Sequence, residues 1–421
     1  MPLKDSLKAD SRYFLVLCLM GAFAILSSTM AKNPVLPLFS ASLGTPNDVT
    51  GIIASASTIP GILVSLPAAS LSDVFGRRKI LLFATFIFAS APFLYLFVSV
   101  WWQLALVRFY HGFATAIFVP VAEATIAEQF PAKRGERISA FNSATYVGRG
   151  LAPFLGGSIL FVTGYAYHTL YLAVGVAGIV AFVIALMMLS ETKKTAVTPQ
   201  RMSAGKATRW MLRGWVHVAK SRGALIVSFV QACQYYVYGV VEFYLVEYMT
   251  QIAGFNALEI AAVSGMQIVS LIVSRPIMGR FSDKTSRQTP IILGCIVSAA
   301  LLVLIPFTTQ FAFLLAISIG YGVGFAMVIS STAPLMCELT PANLVGTSMG
   351  FLSTTMDIGQ TIGPIISGLI LASTLQYTGL FLSLTLLLAF SAVVFFFSGV
   401  AKSQKPKSLK CAQPDQEPAS L

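Results

Sequence analysis

Charge is what this chain has least of. Asp, Glu, Lys and Arg together make up 10% of its 421 residues, against about 25% in a soluble domain. So few charges cannot cover the surface of a soluble protein of this length. Histidine is almost missing, with 3 in the chain, and no HExxH occurs, so no metal-binding helix pair is indicated. The five cysteines, Cys18, Cys233, Cys295, Cys337 and Cys411, include no CxxC spacing. They read as small apolar packing residues, and no metal site is expected. The alternation of apolar and polar residues that a membrane barrel requires is missing too. Gly346-Thr347-Ser348-Met349-Gly350 fits the spelling Gly-x-Ser-x-Gly, but no His follows His217, and a nucleophile elbow needs one downstream. Gly320-Tyr321-Gly322-Val323-Gly324 lacks the strand, the Lys and the final Gly of a phosphate cradle. An enzyme is therefore not expected, nor a cofactor.

Apolar residues are what the chain does have, at 56% and a mean hydropathy of +0.79. The length accommodates roughly a dozen spans of about 20 to 25 residues. We expect an all-α integral membrane protein of twelve transmembrane helices: α1 13–40, α2 47–72, α3 78–100, α4 101–129, α5 135–163 and α6 167–190, then α7 222–253, α8 256–282, α9 288–309, α10 310–338, α11 343–373 and α12 376–400. The run 80–107 has no charge, and its middle, 98–103, reads as a tight turn between two spans. Residues 1–12 are polar and the first apolar run is too long for a signal-peptide core, so no cleavable signal is expected.

Of 28 Lys and Arg, 24 lie in the two tails and in or at the edges of the loops after α2, α4, α6 and α8. By the positive-inside rule this places the tails (1–12 and 401–421) and the linker 191–221 in the cytoplasm of a multi-pass protein of the cell membrane. The asymmetry accounts for the net charge of +12 without any nucleic-acid partner. The linker separates a six-helix bundle, 13–190, from a second one, 222–400. In its second part Trp210, Met211, Gly214, Trp215 and Val218 fall on one face, and Arg209, Arg213, His217 and Lys220 on the other. That pattern suits a helix lying on the bilayer.

The halves repeat each other. Asp73 matches Asp283, Gly112 matches Gly322, and Glu128-Gln-Phe-Pro131 matches Glu338-Leu-Thr-Pro341, all at an offset of 210. Ala152-Pro153 with Gly156-Gly157 matches Gly363-Pro364 with Ser367-Gly368 at 211. Parallel six-helix repeats imply a pseudo-two-fold axis along the membrane normal, with a ligand site between the halves near the midplane.

These features resemble the major facilitator superfamily over nearly the whole chain. The loop Ala69-Ser70-Leu71-Ser72-Asp73-Val74-Phe75-Gly76-Arg77-Arg78 is similar to the family's Gly-x-Leu-x-Asp-Arg-x-Gly-Arg-Arg, with Ala69 and Val74 as departures. The second copy keeps Gly279 and Asp283 but not the Gly-Arg-Arg end. In α5, Gly148-Arg149-Gly150-Leu151-Ala152-Pro153-Phe154-Leu155-Gly156-Gly157 resembles the Gly-Pro-x-x-Gly-Gly motif of proton-coupled exporters, with Ala152 in place of one Gly. Pro34 and Pro37 in α1, and Arg108 with Gly112 in α4, also resemble exporter elements. The resemblance implies the twelve-helix drug:proton antiporter branch: alternating access, a small-molecule substrate, protons, membrane lipid, and a monomer driven by the proton gradient. Proton-coupled uptake of a metabolite is the alternative within transporters. A channel or a non-transporting scaffold is the alternative outside them.

Ionisable groups inside spans are costly and mark pathways. Asp357, at mid-depth in α11, is a proton-carrier candidate or else the partner of an Arg on a neighbouring helix; Glu123 in α4 and Glu242 in α7 are the other carboxylates. Arg108 reads as a cavity or relay residue by the resemblance. Arg149 could serve the proton site or pair with a carboxylate. Lys32 is expected to snorkel to the interface. Tyr235, Tyr236 and Tyr238, with Tyr244, could line a cavity, or could equally face lipid or pack. The cytoplasmic gate is expected at Asp73, Gly76, Arg77, Arg78, Gly279, Asp283 and Arg275, with Arg77 and Arg78 pairing Glu128 or Glu136. Because the second copy is partial, the latch should rest on the first.

Overall fold

The computed structural model describes residues 2–64, 72, 75–130, 133–190, 216, 218, 220–341 and 344–400. The observed helices follow the expected ones within a few residues, except that α1 starts at Pro2 and takes in residues 2–12, expected as a tail. The first, α1, runs Pro2–Met30 and resumes as Val35–Ser42. Helix α2 begins as Asn47–Ser55 and continues over 59–64. Then come α3 Arg77–Leu94, α4 Trp101–Gln129, α5 Arg134–Val162 and α6 Tyr167–Ser190. The second half holds α7 Arg222–Val240, extended by Val241–Leu245 and Val246–Gln251, and α8 Ala257–Lys284. It ends with α9 Gln288–Leu302, α10 Phe311–Leu339, α11 Val345–Leu371 and α12 Gln376–Ser398. Among the described residues, nine of these helices are long and apolar enough to cross a membrane.

The helices outside that nine are α2, which is only partly described, α5 and α11. Helix α2 packs on α11 and α5 packs on α8, so one face of each meets the other half. Within each half the neighbours correspond: α1 touches α5 and α6 as α7 touches α11 and α12, and α3 touches α4 and α6 as α9 touches α10 and α12. Even the ends agree. Helices α3 and α9 both finish in a short 3-10 turn, Tyr95–Phe97 and Ile305–Phe307. Gly112 lies against the backbone of Ser57, and Gly322, its repeat partner, against that of Gln267. Such close approaches rely on a missing side chain.

Local chemistry sets several boundaries. Asn256 and Glu259 form a capping box at the start of α8. Gly76, which precedes α3, has φ +92°, a region that disfavours any side chain. Helix α12 ends on Gly399 at φ +66°.

Three apolar cores hold the bundle. One belongs to the first half, around Leu17, Phe88, Phe118 and Phe141. A second belongs to the other half, around Val227, Cys295, Leu335 and Phe395. Both lie toward the ends that carry the basic loops. The largest joins the halves at the opposite end, where Leu36 and Phe39 share a cluster with Tyr244, Leu245 and Phe381. The halves are thus fused by hydrophobic burial at one end of the molecule and have separate cores at the other.

Candidate functional site

Two interruptions mark the site. Helix α1 breaks over 31–34, a stretch that ends on Pro34 and lies three residues before Pro37; proline has no N–H to continue the ladder. Helix α7 widens into a π segment at Val241–Leu245, a distortion common at functional positions. The breaks lie at corresponding places of the two repeats. Lys32 stands in the first and Glu242 in the second, and they meet: Lys32 Nζ donates to Glu242 Oε2 at 2.6 Å across a sequence separation of 210, the repeat offset. The snorkelling expected for Lys32 is therefore corrected. A carboxylate at the symmetry-related position holds the ammonium between the halves, so it does not reach for the interface.

Other polar groups converge on this pair. Gln360 Nε2 points at Glu242 Oε2 (3.5 Å). Arg108, 2% exposed, donates to Ser57 Oγ at 2.6 Å and lies 3.5 Å from Tyr95 Oη, while its buried Nε has no partner. Both Arg108 and Arg149 act electrostatically on Lys32. Arg149 also acts on Tyr235 and Tyr238, and Asp357 on Tyr235. Tyr238 stacks on Phe325 with centroids 4.8 Å apart, and Tyr235 meets the same ring edge-on at 5.2 Å. Among the described residues, neither Arg149 nor Asp357 forms an ion pair. Asp357 faces α2: a Cβ on Gly61 would stand 2.9 Å from its Oδ2.

The closure lies beside this cluster, on the side away from the basic loops. Thr50 hydrogen-bonds Tyr244 (3.1 Å), Ser55 donates to the Thr361 carbonyl (2.6 Å), and Thr58 meets the Thr361 hydroxyl (2.6 Å). Gly51 abuts the Pro364 carbonyl. The α5 motif has a packing role: Gly148 lies on the Ala22 backbone, Gly156 on Met30 and Val35, and Gly157 on Ala257 and Ala261 of α8, with Ala152 and Pro153 buried between them. Nearer the basic face, Arg275 covers the Tyr146 ring across the halves at 5.1 Å.

At the basic face the two loop copies behave alike. Arg77 pairs Glu128 (2.5 Å) and donates to Ser72. Arg287 pairs Glu338 (2.9 Å) and donates to Ser282 and to Asp283. Arg77, Glu128 and Ser72 recur at the 210 offset as Arg287, Glu338 and Ser282. Burial works against the charge of Arg287, but hydrogen bonds to Asp283 and Glu338 outweigh it and hold the guanidinium above its ordinary range. Arg287 holds in the second copy the place of Arg77, although that copy lacks the Gly-Arg-Arg end. Asp283 binds Arg287 within its own half. Arg78 is exposed, and Glu136 pairs Lys133 (3.6 Å). Asp73 lies outside the described residues, as do 207–215 of the expected interfacial segment; Val218 is buried. Gly279 has open space beside it.

Of the residues singled out from sequence, Arg108, Arg149, Glu242, Asp357, Tyr235 and Tyr238 fall in one region between the halves. Glu123 does not join them: it accepts from Asn142 Nδ2 (2.9 Å) within the first half. The Tyr236 backbone abuts Gly363 of α11, and Tyr244 is wholly buried in the closure. Sequence reasoning missed Ser57, Gly61 and Gln360, whose residue types carry no signal of their own. It also missed Glu247, which is 5% exposed, holds Gln251 at 3.1 Å, and keeps one oxygen without a partner.

Comparisons with known proteins agree with this architecture. The model of the Major Facilitator Superfamily matches residues 17–359 and again 227–414. An uncharacterised MFS-type transporter of Methanocaldococcus jannaschii is 23% identical over 337 residues, 80% of this chain and 85% of the relative. The quinolone resistance protein NorA of Staphylococcus aureus is 23% identical over 341 residues (80% and 84%), and the staphyloferrin B transporter of that organism 23% over 376 (85% and 86%). Among solved structures, a bacterial homologue of the human lysosomal transporter Spinster, inward-facing and unoccupied, superposes with a TM-score of 0.78 over 94% of this chain and 99% of its own, at 13% identity. The nucleoside transporter NupG gives 0.75 over 91% and 99%, also at 13%. The repeated helices, the buried charges between the halves and the family match over most of the chain lead to one conclusion: this chain belongs to the Major Facilitator Superfamily and is a multi-pass membrane transporter, not an enzyme.

Proposed function

We propose that this transporter exports small organic molecules in exchange for protons, by alternating access about the Lys32–Glu242 axis. The observation that carries the reading is Asp357. It is a half-buried carboxylate midway along α11, at the contact with α2, with no ion pair among the described residues. A carboxylate kept at that depth costs a few kcal/mol, so a group left without a fixed counter-charge is suited to taking up and releasing a proton as its surroundings change. Asp357 and Arg149 both act electrostatically on Tyr235. The NorA relative, a quinolone resistance protein, supports export at the level of family branch.

The fused end of the bundle is the end away from the basic loops. With those loops in the cytoplasm of the cell membrane, as the positive-inside rule directs, this state is closed outward. Outward opening would then have to part Lys32 from Glu242, Thr50 from Tyr244 and Ser55 from Thr361. The pairs at Arg77 and Arg287 each lie within one half, so they would brace the basic loops as the halves rock. Where the exchange moves net charge, the membrane potential adds about 2.3 kcal/mol per charge per 100 mV. The protein is expected to work as a monomer, since the site lies within one chain.

Reconstitution into proteoliposomes with a quinolone as probe tests this. An imposed proton gradient should drive the quinolone uphill against the proton flow, and expression in drug-hypersensitive cells should raise their tolerance. Movement in the direction of proton flow would identify an uptake symporter. Non-saturating flux indifferent to the gradient would identify a channel.

A further inference from the structure

We propose that the substrate site selects organic anions, specifically an aromatic ring bearing a carboxylate. The inference rests on reading the interface between the halves as the transport site.

The argument is a count of charges. The first half brings three cations to the interface: Lys32, Arg108 and Arg149, with both arginines acting electrostatically on Lys32. Glu242 neutralises Lys32. Arg108 is satisfied only by neutral oxygens, those of Ser57 and Tyr95, and its Nε is buried with no partner. Arg149 has no ion pair among the described residues. Among the described residues Asp357 is the other carboxylate acting on Tyr235, and even counted as charged it leaves one of the three cations in excess. Buried charge is expensive unless compensated, and the described residues do not compensate the buried guanidinium of Arg108, while half-buried Arg149 adds a second cation without an ion pair among them. The missing negative charge must arrive from outside the chain and leave again. A substrate that carries it does both.

The shape of the group follows from the donors. Arginine presents a planar fork that matches a carboxylate with two parallel hydrogen bonds. The neighbouring wall is aromatic: Tyr238 stacks on Phe325, and Tyr235 and Tyr321 meet the same ring at 5.2 and 6.3 Å. A flat ring can lie against such faces in offset or edge-on contact. The repeat sharpens the point. The position equivalent to Arg108 is Ser318, and the one equivalent to Arg149, at the 211 offset, is Gln360. The three cations beside Glu242 all belong to the first half, whereas Arg275 of the second lies nearer the basic face over Tyr146, so the carboxylate should be held there and the ring by α7 and α10.

Matched triplets provide the test: carboxylate, primary amide and primary amine on the same one-, two- and three-ring aromatic scaffolds. Dissociation constants would be measured by calorimetry on the purified full-length protein. The carboxylates should bind about tenfold or more tighter than their amides, the worth of a charge-assisted pair, and the amines weakest. Arg149→Gln should remove most of that preference, and Arg149→Lys should keep part of it. Tighter binding of the amines, equal binding of all three, binding of none, or an unchanged preference in Arg149→Gln would each overturn the proposal. The assay imposes no gradient, so it fails or succeeds independently of export and of proton coupling. Because the comparison is made on the unmodified protein first, poor folding of a variant would not leave the question open.

Discussion

The two halves share a backbone plan and differ in charge. Each has a helix interrupted at the same place, each packs a glycine of its fourth helix on the backbone of its second, and each ties its basic loop with one arginine to one glutamate. At the interface, however, the first half offers Lys32, Arg108 and Arg149 where the second offers Glu242, Ser318 and Gln360. Duplication supplies the mechanics of a rocking pair, and divergence of a few positions on that plan supplies chemistry. The same comparison explains why the contact across the axis is an ion pair: like residues at equivalent positions would repel.

The largest effect should come from breaking that pair. Lys32→Met or Glu242→Gln alone should lower thermal stability in detergent by about 3–5 kcal/mol, because each strands a buried partner. The double variant should recover much of the loss. Equal and additive losses would mean that the two side chains do not interact. The swap Lys32→Glu with Glu242→Lys sharpens the comparison: if the plan is symmetric, stability should be largely kept, while transport suffers from moving charge to the wrong half.

Next in size is the closed end. Gly51→Leu places a side chain against the Pro364 carbonyl, and overpacking of this kind costs about 1–3 kcal/mol. It should pry α2 from α11 and raise the labelling of a cysteine introduced at Thr361. Gly135→Leu, with open space beside it, should change neither.

The smallest effects belong to the basic loops. Arg77→Ala and Arg287→Ala each remove a partly exposed pair worth up to about 1 kcal/mol. They should slow turnover to the same degree with little change in substrate affinity. A silent Arg287→Ala would restore the unequal latch that the sequence suggests.

How far the sequence could be read follows from what carries the signal. The apolar helices and the repeat were readable, because length and apolarity are properties of segments. Arg108, Arg149, Glu242 and Asp357 stood out because a charge within a span is rare. What could not be read was pairing. Lys32 and Glu242 are 210 residues apart, and only the fold shows that they share an axis; the offset already known from Asp73 and Asp283 could have found them, had it been applied to unlike residues. The π segment at Val241–Leu245 contains no proline or glycine and left no mark. In the loop of the second half, matching by motif registers the missing Gly-Arg-Arg but not Arg287, which holds the place of Arg77 and pairs Glu338.

Asp357→Asn tests the central claim most directly. In proteoliposomes the variant should still exchange labelled for unlabelled quinolone at equal concentrations, but should no longer accumulate it when a proton gradient is imposed. Accumulation at the wild-type level, with exchange intact, would contradict the account and remove Asp357 from the coupling of proton to substrate.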